Sequence, residues 1–165
     1  MADLISQERL FPSLLDRLCD DDTARKIESR DARGFSLHKL REAVLRDLSW
    51  LLNTCSLAVV QDLDPYPFVK SSVINYGIPD LTGKTVSGLN VIDVQRALRQ
   101  AILDFEPRII PKSLEVRALL SKDRSAGNSL AFEIEGDLWS RPLPERLYLR
   151  TELDLETGSV TMVKG

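Results

Sequence analysis

The sequence predicts an α+β fold: two main N-terminal helices packed on a C-terminal antiparallel sheet of three to four strands. Three observations predict it. Apolar residues recur at helical spacing in two blocks, from Leu37 to Leu52 and from Val91 to Phe105. After Leu114 the period changes to alternation, the mark of strands with one dry face and one wet face. The connections between the alternating runs are short, which joins the strands antiparallel. Helices first and a meander after put the helices on the sheet's apolar face.

Residues 8–19 read ERLFPSLLDRLC, with Leu10, Phe11, Leu14, Leu15 and Leu18 at helical spacing and Pro12 tolerable only in a first turn. The stretch DDDTARKIESRDARG that follows is charged and reads as a linker or surface loop. Residues 1–35 are therefore an amphipathic segment and a charged linker, and residues 36–165 a single α+β domain. The amphipathic segment has two uses: it docks on a neighbouring protein, or it folds back onto its own domain.

The first long helix starts after Gly34, with Ser36 as N-cap. Leu37, Leu40, Val44, Leu48, Leu51 and Leu52 form its buried face, which Trp50 widens, and Arg41, Glu42, Arg46 and Asp47 lie mostly opposite. Residues 61–90 hold Pro65, Pro67, Pro79, Gly77, Gly83 and Gly88, so no long regular element fits. Yet Val73, Ile74, Tyr76, Ile78 and Leu81 predict an ordered loop packed on the core, with a short helical turn at 71–76. The second helix starts at Asn90, with Asp93 as a capping-box partner, and buries Val91, Val94, Leu98, Ala101, Ile102 and Phe105. Pro107 ends it. Four alternating runs follow, at 114–120, 130–138, 147–155 and 159–163.

Composition narrows the function classes. The chain has 165 residues, 43% hydrophobic and 28% charged, which suits one soluble domain that needs neither disulfide nor metal to fold. A net charge of -3 without a basic run gives nucleic acid little to bind. Cys19 and Cys55 read as free thiols of a reducing compartment. Acidic and polar residues near the N-terminus (Asp3, Ser6, Gln7, Glu8) do not read as a signal peptide, and no apolar run approaches the ~20 residues of a membrane span. A cytoplasmic protein without membrane insertion is the expectation.

Chemistry finds few footholds. His38 is the single histidine and is expected in solvent, opposite no nucleophile. Phosphate-binding, dinucleotide and calcium motifs are missing from the sequence, so no cofactor or metal is expected. A carboxylate pair of the kind that cleaves glycosides could only be Asp104 and Glu106, and neither sits in a sequence context that raises its pKa. A peptidoglycan-cleaving hydrolase is therefore the alternative, and a structural protein the main reading.

The cluster Phe105-Glu106-Pro107-Arg108 is more informative. Phe105 anchors the helix end, and Pro107 fixes the exit direction. Glu106 and Arg108 stand two residues apart on one side of an extended stretch. The bland reading is a charged helix terminus. The sharper one is a rigid display of one acid and one base, able to set register at a protein interface.

Several segments together resemble a known family. They are PSLLDRL (Pro12 to Leu18), RDLSWLLNT (Arg46 to Thr54), SVINYGIPDLTG (Ser72 to Gly83) and FEPR (Phe105 to Arg108), in this order. The chain resembles the TssE family of type VI secretion baseplates, which is similar to the lysozyme-like wedge protein of contractile phage tails. The resemblance implies a cytoplasmic, non-enzymatic component of a baseplate docked at an inner-membrane complex. It implies TssF, TssG and TssK as wedge partners and the TssB/TssC sheath as the structure that polymerises from it. The family's Glu-Pro-Arg signature maps onto Glu106, Pro107 and Arg108, which with Phe105 become the expected partner-binding residues. The C-terminal sheet would resemble the sheath's interlocking region, where neighbours add strands to a sheet edge.

Overall fold

The alternation that begins at Leu114 becomes a four-stranded antiparallel meander in the order β1-β2-β3-β4. The computed structural model describes residues 13–18, 37–119, 128–140 and 143–163. Its strands are β1 (Glu115–Leu119), β2 (Ser129–Leu138), β3 (Glu145–Asp154) and β4 (Val160–Val163). Its helices are α1 (Leu14–Leu18), α2 (Leu37–Leu52), α3 (Pro67–Lys70) and α4 (Val91–Phe105). The α+β expectation holds, with two long helices and four strands among the described residues. Ser36 and Cys19 lie outside the described residues, as does most of the 1–35 segment.

The sheet follows its sequence pattern closely. Leu130, Phe132, Ile134 and Leu138 of β2 are buried, and Leu147, Leu149, Thr151 and Leu153 of β3 pair with β2 in unbroken register. The alternate residues carry charge outward, where Arg146 meets Glu135 at 3.0 Å and Tyr148 donates to Glu133 at 2.7 Å. Leu40, Val44, Leu48 and Leu51 of α2 join Val94, Leu98 and Ile102 of α4 and the inner sheet residues in one apolar cluster. Each such side chain contributes roughly 1.5–3 kcal/mol on burial.

The structure corrects several local expectations. Leu37 is exposed at the first turn of α2. Trp50 is also exposed, because it lies about 200° round the helix from Leu48. Its ring instead takes the Arg46 guanidinium, 5.2 Å from the centroid. Asn90 caps α4 by accepting from the Ile92 N–H, but Asp93 pairs with Arg96 at 2.8 Å, so no capping box is made.

The 61–90 loop is ordered, and a 3₁₀ turn at Val73–Asn75 falls inside the expected 71–76. Tyr76, Ile78 and Leu81 pack on the core as expected, whereas Val73 and Ile74 are 80% and 65% exposed. The Asn75 side chain holds that turn outward: its carbonyl accepts from Ala58 N at 2.9 Å and its amide donates to the Lys70 carbonyl at 2.8 Å. Gly77 is required here. At φ +124°, a Cβ would stand 2.3 Å from the Thr54 carbonyl oxygen, which accepts from Ile78 N.

Two features bind the helices to the sheet edges. Asn53, just past α2, brackets Val160 of β4 by accepting from its N–H and donating to its carbonyl, both at 2.9 Å. At the other side, Ile110 N donates to the Asp137 carbonyl and Trp139 N to the Arg108 carbonyl, each at 2.8 Å. The chain leaving α4 is thereby stapled beside the end of β2. Gly136 makes room for it, since a Cβ there would meet Ile109 Cγ2 at 3.0 Å.

Candidate functional site

The site is the corner where α4 gives way to the sheet. Glu106 precedes Pro107 and is pushed out of the helical region, to φ -121° and ψ 78°, so α4 stops at Phe105. The last helical bond runs from Glu106 N to the Ile102 carbonyl at 2.8 Å, and Ile109 N then returns to the Glu106 carbonyl at 3.2 Å. Phe105 is partly buried, and its ring meets Tyr76 edge-on with centroids 5.2 Å apart. Its predicted anchoring role is what the structure shows.

The structure does not display Glu106. Its side chain is 3% exposed, and both oxygens are committed to Arg108: Oε1 accepts from the backbone N–H at 3.1 Å and from Nε at 2.7 Å, and Oε2 accepts from Nη2 at 2.5 Å. Glu106 and Arg108 do meet, but through a turn at 107–108 rather than along the extended stretch expected, and the pair faces the domain. The reason is the staple to β2, which turns the exit chain inward before it becomes extended. Arg108 alone reaches the surface, at 22% exposure, and Pro107 is exposed beside it. The expected acid-and-base display is therefore corrected to one cation positioned by a buried acid.

Four residues outside the corner complete it, and sequence reasoning missed them there. Asp47 of α2 accepts from Arg108 Nη2 at 2.5 Å through Oδ2, and its Oδ1 lies 2.8 Å from Arg46 Nη2. Arg46 in turn donates to Asp16 of α1 at 2.6 Å. Tyr76 donates its hydroxyl to the Asp47 carbonyl at 3.3 Å. The one signal that could have gathered them was the set of familiar segments, since Asp16, Arg46, Asp47, Tyr76 and Glu106 each lie in one. Those segments, scattered along the chain, meet at this corner.

The electrostatics match the geometry. Burial alone would lower the Arg108 pKa, but Glu106 and then Asp47 outweigh it and hold the guanidinium firmly charged. Tyr76 is raised by burial first, then by the Asp47 and Glu106 charges. For Asp16 burial acts upward, yet the hydrogen bonds from Arg46 and Ser13 prevail and place it below the usual aspartate range. Such a cluster fixes a cation in place.

The other candidate residues do not assemble. Asp104 is exposed and accepts from Gln100 at 2.8 Å, an environment unlike that of the buried Glu106. His38 is 79% exposed, 3.3 Å from Glu42, and Cys55 is a free, exposed thiol. The described part of the N-terminal segment folds back, tied to α2 by the Asp16–Arg46 pair.

Comparison with known proteins gives one match. No curated protein and no solved structure matches the chain. A family model described as baseplate wedge protein gp25 matches residues 38–143, from the first turn of α2 to the link between β2 and β3. That stretch contains the corner and most of the familiar segments. The chain belongs to the baseplate wedge protein gp25 family, the family of TssE and of the phage baseplate wedge proteins.

Proposed function

We propose that this chain is the TssE-type component of a type VI secretion baseplate, seated on the cytoplasmic side of an inner-membrane complex. In this reading it joins a wedge of TssF, TssG and TssK to the TssB/TssC sheath and starts sheath polymerisation. A structural role in a baseplate follows from the family itself. The finer reading is supported by one observation above the others: Asp16, Arg46, Asp47, Tyr76 and Glu106, from every family-like segment, are joined to Arg108 in one connected set of contacts, Asp47 and Glu106 directly and the others through Asp47. A partly exposed arginine clamped by two acids is a rigid, directional contact for an acidic group of another subunit.

The outer strands suit the same role. β1 and β4 end the sheet among the described residues, and strand addition supplies repeated backbone hydrogen bonds for a filament under load. On β4, Asn53 already occupies the edge at Val160, so a strand added there pairs beyond that residue. Charge reversal at Arg108 is the test. In cells whose own copy carries Arg108→Glu, fluorescent sheath foci are expected to disappear while the protein stays at its normal level. Foci persisting at normal number would overturn the proposal.

A further inference from the structure

Five side chains form a row of alternating charge: Asp16, Arg46, Asp47, Arg108, Glu106. Each interior member is shared. Arg46 divides itself between Asp16 and Asp47, Asp47 between Arg46 and Arg108, and Arg108 between Asp47 and Glu106. A shared ion that loses one neighbour turns to the other, so a change at one end reaches the far end with alternating sign. A spare donor for such re-pairing exists, because Arg108 Nη1 is buried without a hydrogen-bond partner. At the far end stands α1. Its Leu14, Leu15 and Leu18 are 70%, 41% and 74% exposed, so apolar burial holds it weakly and the Asp16–Arg46 pair ties it to α2.

We infer that this row transmits between the corner and α1, so that an anionic group of a partner engaging Arg108 loosens α1 from α2. The added negative charge draws Arg108 off Asp47. Asp47 then turns to Arg46, and the hold of Arg46 on Asp16 weakens. The direct repulsion between the new anion and Asp16 acts with the same sign. By linkage, releasing α1 strengthens the binding of that anion. The partner's part in this rests on the corner being a docking site, but the intramolecular part does not, and the isolated chain tests it separately.

The measurement is hydrogen exchange at the amides of Leu14–Leu18, referenced to amides of β2 in the same sample. Arg108→Gln removes a cation and is expected to speed exchange in α1 by roughly two- to fivefold at low salt. Glu106→Gln removes an acid and is expected to slow it. Asp47→Asn is expected to slow it too, and it gives the reading if the buried Glu106→Gln change prevents folding. A corner that merely supports the fold would loosen α1 in every variant. Exchange that speeds in all of them, or moves in none, overturns the inference.

Discussion

The inner face of the sheet and the Glu106–Pro107–Arg108 corner are both buried, and they are held on different terms. Behind the sheet, Phe132, Ile134, Leu147 and Leu149 are almost wholly covered, and their stability scales with apolar area. At the corner a carboxylate is almost as deeply buried, and the guanidinium and backbone N–H of Arg108 make that tolerable. The first region would accept many side chains of similar volume. The second accepts one geometry, and that is the property required of a docking contact: it fixes where a charge stands rather than adding much stability.

The comparison can be broken at either region. The largest effect is expected in the sheet. Phe132 is 1% exposed, and Phe132→Ala should cost about 3–5 kcal/mol in urea-induced unfolding. A loss below about 1 kcal/mol would mean that the inner face is not the main source of stability. A smaller effect belongs to the charged row. Asp16 has a depressed pKa, so its pair with Arg46 contributes fully above the ordinary aspartate value of about 3.9 and is lost as pH falls through the lower folded value. Exchange protection of α1 is therefore expected to hold from neutrality to about pH 4 and to fall below it. Loss of protection already above about pH 5 would assign α1's attachment to another group.

The sheet was legible almost residue by residue. Alternation is a local property, and Leu130 to Leu138 or Leu147 to Leu155 show it without knowledge of any partner. The two long helices were legible for the same reason. Trp50 was misread because an aromatic beside a stripe looks apolar, while its angle round the helix sends it to solvent and to Arg46. Val73 and Ile74 were misread because their turn is held by the side-chain amide of Asn75, which no hydrophobic pattern reports.

The corner was half legible. Glu106 and Arg108 were rightly singled out together, but the extended stretch expected there is a turn, and which side is covered depends on contacts with β2 and on Asp47, 61 residues earlier. Pairwise charge contacts at that separation leave no periodic trace. Only the family-like segments pointed to the right residues, and they pointed without geometry.

The central claim is that Glu106 positions Arg108, and a double-mutant cycle tests it most directly. Urea unfolding of Glu106→Gln, Arg108→Gln and the double variant gives the coupling between them. Each single change should destabilise, and the double should cost less than their sum by at least about 1 kcal/mol, because removing both charges leaves neither one buried alone. Costs that add to within about 0.5 kcal/mol would show that the acid does not hold the arginine, and the account of the corner would fail.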